Sequence, residues 1–172
     1  MTDIKQCDID HVDVLHDIAI QTYKQTYTYL WQDNGAAYLK RFYEKEYLEK
    51  DLATPGVIYF LVYDDDKAAG YFKVKGNSNT PGNQQQPLEI DKLYLLQQFT
   101  GKGIGKAVMN FIFDLAKHQQ YPSLLLKVME SSPARLFYEA YGFKQTERTY
   151  LDYPFMIDEY RWLLTYVWEI VD

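Results

Sequence analysis

The sequence predicts a mixed α/β (α+β) domain, in which a mostly antiparallel sheet with a central β-α-β unit carries helices on both faces. Hydrophobic periods of two and of three to four residues follow one another in the order β-α-α-β-β-β-α-β-α-β-β. The length of 172 residues fits a single domain over 1–172. Hydrophobic residues make up 47% of the chain and charged residues 24%. This composition excludes a disordered, collagen-like or coiled-coil chain.

The first half of the chain predicts a strand, two helices and a β-hairpin. Asp10 precedes apolar residues at three- and four-residue spacing, which is typical of an amphipathic helix. Pro55-Gly56 ends a second helix, and a polar turn joins two runs of β-branched and aromatic residues. The predicted bounds are 4–9 for the first strand, 37–52 for the second helix, and 57–63 and 69–75 for the hairpin strands around the turn 64–67. The polar segment 76–86 predicts an exposed, mobile loop.

The second half predicts the β-α-β unit, a short helix and two closing strands. The run Leu124-Leu125-Leu126 is typical of a strand buried on both faces. Pro133 opens the short helix, and Gly142 ends it. The predicted bounds are 88–96, 103–120, 123–128, 143–150 and 162–170. We expect a ligand where strands diverge at a helix N-terminus.

Charge and cysteine content exclude several classes of protein. The chain has 18 basic and 24 acidic residues, a net charge of −6, so we expect no nucleic-acid partner and a mild attraction for cationic small molecules. Cys7 is the single cysteine, which excludes an internal disulfide and a cysteine-based zinc site, and no metal-binding pattern is present. No apolar run approaches the roughly 20 residues of a membrane helix, and no signal peptide begins the chain. The sequence therefore predicts a cytoplasmic protein without a membrane partner.

Three glycines at alternate positions, Gly101, Gly103 and Gly105, join a strand to the long helix. Glycine lets backbone amides approach a ligand closely, and a helix N-terminus adds unpaired N–H groups and a positive dipole end. The segment therefore predicts a pyrophosphate cradle, with a tight turn alone as the alternative. It is not a P-loop, because Ala107 stands where Ser or Thr is required, nor a dinucleotide fingerprint, because Lys106 stands where the third glycine belongs.

Two segments resemble the acetyl-CoA-binding core of the Gcn5-related N-acetyltransferases (GNAT), whose element order also fits this chain. Residues 100–105 take the place of the family pattern Gln/Arg-x-x-Gly-x-Gly/Ala, with Thr100 where Gln or Arg is usual. A register that begins at Gln98 matches the letters better, but we prefer the first because it puts Ile104 in the buried stripe of the helix. Residues 131–143 are similar to Asn-x-x-Ala-x-x-Phe-Tyr-x-x-x-Gly-Phe, with Ser131 in the place of Asn.

This resemblance implies acetyl-CoA as co-substrate. Its pyrophosphate would lie on the amides of residues 101–106, and its pantetheine arm would pair with the backbone of residues 93–95 like an added strand. One backbone N–H there would donate to the thioester oxygen. The cofactor-binding residues implied in this way are Leu93, Tyr94, Leu95, Thr100, Gly101, Lys102, Gly103, Ile104, Gly105, Lys106 and Ser131.

The resemblance also implies two catalytic residues. Tyr138 matches the general acid that protonates the departing thiolate, with a core tyrosine as the alternative. Glu89 stands eleven positions before Thr100, where histone-acetylating members carry their base, and a water chain is the alternative. Strand alternation puts Glu89, Asp91 and Leu93 on one face, so the two carboxylates would raise each other's pKa. Cys7 lies outside the motifs, so direct transfer is preferred to an acetyl-enzyme.

Aromatic residues mark the expected acceptor site. The regions that build this site in the family carry Tyr23, Tyr27, Tyr29, Trp31, Tyr150, Tyr153 and Phe155. Aromatic rings and an acidic balance suit an alkylammonium group, and the layout is most similar to the polyamine-acetylating branch. Amino acids, antibiotics and protein N-termini stay open as acceptors. A non-catalytic CoA-binding or regulatory protein and a nucleotide-binding module are alternatives, and the aromatic C-terminal strand is compatible with a homodimer or a monomer.

Overall fold

Seven strands form one sheet in the order β1-β2-β3-β4-β5-β7-β6. The computed structural model describes residues 1–76 and 86–171, so most of the loop predicted at 76–86 lies outside the described residues. The strands are β1 (Thr2–Gln6), β2 (Val57–Asp64), β3 (Lys67–Lys75), β4 (Leu88–Leu95), β5 (Ser123–Met129), β6 (Lys144–Tyr150) and β7 (Trp162–Glu169). The helices are α1 (Val12–Thr26), α2 (Ala36–Phe42), α3 (Lys45–Leu52), α4 (Ile104–His118) and α5 (Ala134–Ala140).

Helices cover both faces of this sheet. On one face, α1 contacts β3 and β4, and α3 contacts β2. On the other face, Phe111 of α4 packs edge-on against the stacked rings of Phe60 and Phe72. None of the helices in the described part of the chain is both long and apolar enough to cross a membrane.

Strands β4 and β5 are the parallel pair of the sheet, and they pair over only a short stretch. Leu88, Glu89 and Ile90 lie opposite Leu124, Leu125 and Leu126. Beyond Ile90 the strands separate, and the rest of β5 pairs with β7 alone. The parallel pair therefore opens into a fork at the carboxyl ends of β4 and β5, where the sequence predicts the ligand.

A β-bulge in β4 follows directly after the last paired residue. Lys73 lies opposite Lys92, whereas the next residue of β3, Val74, lies opposite Ile90. Asp91 is thus an extra residue in β4. A bulge of this kind bends its strand and increases the local twist, which suits the separation of β4 from β5.

Two predicted element bounds differ from the structure for local reasons. The helix predicted at 37–52 is two helices, because Glu44 has an extended backbone (φ −65°, ψ 152°) and the preceding Tyr43 is buried, 1% exposed, against Tyr23. The strand predicted at 4–9 ends at Gln6. Asp8 accepts a hydrogen bond from the amide of Asp10 and caps a short 3₁₀ turn there.

The aromatic C-terminal strand, β7, lies inside the sheet. It pairs with β5 on one side and with β6 on the other. Its backbone is therefore already used within the chain, and a second copy would have to pack elsewhere. The homodimer stays a prediction.

Candidate active site at the fork between β4 and β5

The fork is the floor of a cavity of about 490 Å³, which we call the cofactor cleft. Its walls come from the splayed ends of β4 and β5, from the glycine turn and from one side of α5. Of the predicted cofactor-binding residues, the cleft is lined by Leu93, Tyr94, Leu95, Thr100, Gly101, Gly103, Gly105 and Lys106. Elements that are distant in sequence thus converge on one cavity of a size usual for ligand sites.

The glycine turn presents bare backbone to this cleft. Gly101 and Gly103 have left-handed backbones, with φ of +74° and +80°, and a Cβ built at either would have no atom within 4 Å. Gly103 is also the N-cap of the 15-residue helix α4. The first amides of an α-helix lack partners within the helix, so they are available to an anion, which the helix dipole also attracts. Ile104 is buried, as the preferred register of the motif requires.

Three predicted cofactor-binding residues do not line the cleft. Ile104 faces the core, and Lys102 places its ammonium over the ring of Phe99. The Ser131 hydroxyl hydrogen-bonds the Tyr29 hydroxyl at 2.7 Å, so it is engaged on the side of α1 rather than the cleft. Any contact of Ile104 with the co-substrate would therefore be through the backbone.

Tyr138 projects from α5 into the cofactor cleft. It is buried, 7% exposed, and packs edge-on against Phe137 and Phe143. Burial, with a smaller contribution from Tyr27, raises its pKa above the usual value for tyrosine. Tyr138 therefore keeps its proton throughout the neutral range and can act as a donor.

A second cavity of about 370 Å³, which we call the acceptor pocket, meets the cleft. Both cavities are lined by Tyr27, Asp91, Lys92, Tyr94, Lys127 and Val128. The two cavities therefore adjoin at these residues, which we call the junction.

Backbone hydrogen bonds join the two segments that close the acceptor pocket. The amide of Ile157 donates to the Leu30 carbonyl at 2.8 Å, and that of Gln32 donates to the Phe155 carbonyl at 2.7 Å. The Arg161 guanidinium also donates to the carbonyls of Leu151, Tyr153 and Met156 at 3.0, 3.0 and 2.8 Å. The connection between β6 and β7 is therefore held against the segment that follows α1.

Aromatic rings line much of this pocket, but not all of those predicted do so. Tyr23, Tyr27, Trp31 and Tyr153 are among the lining residues. They are joined by Tyr38, Phe42 and Tyr47, which the sequence reasoning missed, and by Tyr94, which it had assigned to the cofactor alone. Tyr29 is instead occupied with Ser131, while Tyr150 and Phe155 are each 52% exposed. Tyr38, Phe42 and Tyr47 recur at four- and five-residue spacing along the region predicted as the second helix, a pattern that could have indicated a shared aromatic face.

The bulge changes the face on which residues of β4 lie. Glu89 lines the acceptor pocket, on the same face as its cross-strand neighbour Lys75. After the extra residue, Lys92 rather than Leu93 continues that face, because Lys92 lies opposite Lys73. The prediction that Leu93 shares the face of Glu89 was wrong, since simple alternation cannot account for an inserted residue.

Asp91 is held by lysines from β3. Its carboxylate lies 3.2 Å from the Nζ of Lys73 and 3.1 Å from that of Lys75, and Lys73 also pairs with Asp51 of α3. Burial would raise the pKa of Asp91, but Lys73, Lys75 and Lys92 together lower it below its usual value. The expected rise in the pKa of Asp91 was therefore wrong. Its carboxylate is instead engaged in structural ion pairs with β3.

Lys92 is one of three residues at the junction that sequence reasoning missed, together with Lys127 and Val128. Its Nζ lies 4.3 Å from the centre of the Tyr43 ring, and it forms no ion pair with a carboxylate among residues 1–76 and 86–171. Burial lowers the pKa of Lys92 to about 8, against the attraction of Asp91. A signal was present, because Lys73, Lys75 and Lys92 all interrupt strands that are otherwise largely apolar or aromatic.

Other reactive groups lie away from the junction. Cys7 lines neither cavity, and burial raises its pKa to about 12, which leaves a protonated and unreactive thiol. Within the described residues, no cluster of three or more His, Cys, Asp or Glu side chains is arranged to hold a metal ion.

The family model described as "Acetyltransferase (GNAT) family" matches residues 18–143, well over half of the chain. This chain belongs to the GNAT family. It is an acetyl-CoA-dependent N-acetyltransferase, as the two motifs implied. An uncharacterized N-acetyltransferase in the pepI 3′ region of Lactobacillus delbrueckii subsp. lactis is 28% identical over 151 residues, which cover 83% of this chain and 85% of that protein.

Solved structures share the fold of this GNAT acetyltransferase. The PaiA N-acetyltransferase of Thermoplasma acidophilum, solved with coenzyme A, superposes with a TM-score of 0.74 at 19% identity, covering 96% of this chain and 98% of that one. A GCN5-related N-acetyltransferase from Rhodopseudomonas palustris gives 0.75 at 15% identity, with 99% and 96% covered. The predicted fold class, a mixed sheet with a central β-α-β unit and helices on both faces, is confirmed.

We expect Gly103→Val to weaken CoA binding by well over tenfold. Valine is strained at φ +80°, and its side chain would occupy the space through which a phosphate approaches the amides. Calorimetric titration of folded protein with CoA measures the effect.

Gly142→Val is the matched control, because Gly142 also has a positive φ, +94°, but lines neither cavity. It should lower thermal stability and leave CoA affinity within about threefold of the wild type. Equal CoA affinities for the two variants would contradict the cradle.

Proposed function

We propose that this enzyme transfers the acetyl group directly to a primary amine while both substrates are bound. The observation that carries the proposal is the junction, where the cofactor cleft and the acceptor pocket share a wall of six residues. Direct attack requires the two reacting atoms to meet without an intermediate carrier on the protein. The buried thiol of Cys7, which lines neither cavity, supports the same conclusion.

The glycine turn and β4 would orient the co-substrate. Acetyl-CoA supplies the acetyl group as a reactive thioester. Amides of residues 101–106 would bind its pyrophosphate at the N-terminus of α4, and the backbone of residues 93–95, which β5 leaves unpaired, would bind its pantetheine arm. A backbone N–H at the fork would then donate to the thioester oxygen and stabilise the charge that develops there.

Tyr138 would supply the proton for the leaving sulfur. The amine nitrogen forms a bond to the carbonyl carbon as the carbon–sulfur bond breaks, and the sulfur then takes the phenolic proton. Tyr138 lines the cleft and remains protonated at neutral pH, which supports this role. The hydroxyl is returned to its starting state when solvent reprotonates it.

Glu89 would accept the proton that the attacking amine must lose, directly or through a water chain. It lines the acceptor pocket one residue before the end of the β4–β5 pairing. Asp91 is a weaker candidate, because two lysine ammonium groups already bind its carboxylate. Among the described carboxylates that line the pocket, Glu89 is thus the one with the fewest ion pairs.

The identity of the amine depends on the walls of the acceptor pocket. For a polyamine, the acceptor favoured by the sequence, the aromatic rings would offer cation–π contacts. Against it, the pocket is lined by four lysines, Lys73, Lys75, Lys92 and Lys127, and by two carboxylates, Glu89 and Asp91. An amine without a second cationic group fits this charge better.

An acceptor screen tests the proposal as a whole. Release of the CoA thiol, measured with acetyl-CoA and a panel of polyamines, amino acids and simple amines, should depend on the amine. Initial rates at varied concentrations of both substrates should give intersecting lines. Parallel lines would indicate an acetyl-enzyme and contradict direct transfer.

Tyr138→Phe should keep CoA affinity within about twofold and lower kcat by roughly 10²–10⁴-fold, because only the proton for the leaving sulfur is lost. The measurement combines CoA titration with steady-state rates. Tyr141→Phe, at the end of the same helix and outside both cavities, is the control and should keep the wild-type rate. A wild-type rate for Tyr138→Phe would make Tyr138 a core residue only.

Glu89→Gln should lower kcat/KM by about 10- to 10³-fold at pH 7, since the amide keeps the shape of the side chain and removes its basicity. The loss should shrink as the pH approaches the pKa of the acceptor amine, because free amine is then present without a base. Glu147→Gln on β6, outside both cavities, is the matched control. A loss that is constant with pH would assign Glu89 to positioning.

A further inference from the structure

We propose that the acceptor is an amine with an anionic group, a carboxylate or phosphate, a few bonds from the reacting nitrogen, and that Lys92 binds this group. The inference rests on the proposed function, because it names the class of amine that occupies the acceptor pocket. It concerns a residue whose place in the pocket depends on the bulge at Asp91.

Two of the lysines around the acceptor pocket already have carboxylate partners within the chain. Lys73 and Lys75 are neutralised by Asp51 and Asp91, with which they form ion pairs. Lys92 has no such partner within the described residues, and residues 77–85 contain neither Asp nor Glu. The Tyr43 ring stabilises the charge of Lys92 through a cation–π contact. The ring face offers no lone pair, so it does not satisfy the three N–H groups of the ammonium as a hydrogen-bond acceptor would.

A largely buried ammonium at the wall of a cavity favours an anion. Burial opposes the charge of Lys92, and a carboxylate or phosphate would compensate it through charge-assisted hydrogen bonds. A cationic substrate arm at the same place would instead meet repulsion from Lys92 and from Lys127, which also lines the pocket. The charges of Lys92 and Lys127 therefore select against a second cationic group of a polyamine at this end of the pocket.

The position of Lys92 restricts where the anionic group lies in the substrate. Lys92 and Lys127 line both the cleft and the pocket, so they stand at the junction where the amine must meet the thioester. An anion bound there is close to the reacting nitrogen, as in an α-amino acid. The aromatic part of the pocket then remains for an apolar side chain.

Matched substrate pairs test this arrangement. The pairs are phenylalanine with phenethylamine, O-phosphoethanolamine with ethanolamine, and 6-aminohexanoate with hexylamine. At pH 7, kcat/KM should favour the anionic member by about 10- to 100-fold in one of the first two pairs, which separates carboxylate from phosphate recognition. The third pair, whose charges are far apart, should show no such preference.

Lys92→Met should abolish the preference while it keeps CoA affinity, and Lys117→Met, an exposed lysine on α4 outside both cavities, should leave it unchanged. The proposal is overturned if neither anionic member is preferred, if the third pair shows the same preference, or if the preference survives in Lys92→Met. An equal loss for every amine in Lys92→Met would also overturn it, since that pattern indicates a role in the chemistry common to all of them.

Binding to the wild-type enzyme gives a test that requires neither turnover nor a variant. With CoA bound, N-acetylphenylalanine should bind more tightly than N-acetylphenethylamine at pH 7 if the anion is a carboxylate, and N-acetyl-O-phosphoethanolamine more tightly than N-acetylethanolamine if it is a phosphate. The preferred anionic product should lose about tenfold in affinity by pH 9, as Lys92 loses its proton above about 8, while its neutral partner should not change. The charged groups that affect Lys92 are Lys73 and Lys75 of β3, Asp51 of α3 and the adjacent Asp91, and its ammonium lies over the Tyr43 ring. Glu89 of β4 and Lys127 of β5 line the same pocket.

The experiments can overturn the proposed function and the preference for an anionic amine separately. Transfer to amines without an anionic preference would overturn the inference and leave the proposed function intact. An anionic preference in product binding, without transfer to any amine, would overturn the proposed function and support the inference. Absence of both would overturn both.

Discussion

The ion pairs of Asp91 with Lys73 and Lys75 hold the extra residue of β4 in place, and both cavities depend on that residue. Pairing between β4 and β5 ends at Ile90, directly before it. The bulge bends β4 away from β5, which opens the cofactor cleft, and it turns Lys92 toward the acceptor pocket. One insertion in one strand therefore shapes both cavities, because it separates β4 from β5 at the cleft and places Lys92 in the wall of the acceptor pocket.

The charged side chains around Asp91 are largely buried, so their removal from water costs free energy that their ion pairs must offset. The Lys73 side chain is 4% exposed, and removal of one partner from such a pair usually costs about 3–5 kcal/mol, because an uncompensated charge stays behind. Tyr59 donates to Asp51 and so ties α3 into the same network. The cluster thus links the helix layer to the bulge, and it neutralises Lys73 and Lys75, so the positive character of the acceptor pocket comes from Lys92 and Lys127.

Sequence reasoning succeeded where the signal was local. The glycines of 101–105 and the element order were sufficient for the fold and for the position of the glycine turn beside the fork, because a strand, a turn and a helix N-terminus each have a short sequence signature. It failed at Asp91 and Lys92, since an extra residue in a strand leaves the polar and apolar pattern almost unchanged yet reverses the face of everything after it. The break at Tyr43-Glu44 was missed for a similar reason, because both halves keep a helical period.

A crystal structure of the enzyme with CoA is the most direct test of this account. We expect the pantetheine arm between β4 and β5 beyond Ile90, the pyrophosphate on the amides of residues 101–106, and the thiol at the junction lined by Tyr27, Lys92 and Lys127. Asp91 should remain an extra residue opposite Lys73 and Val74. A thiol that points away from the acceptor pocket, or β4 in continuous register with β3 through Asp91, would contradict it.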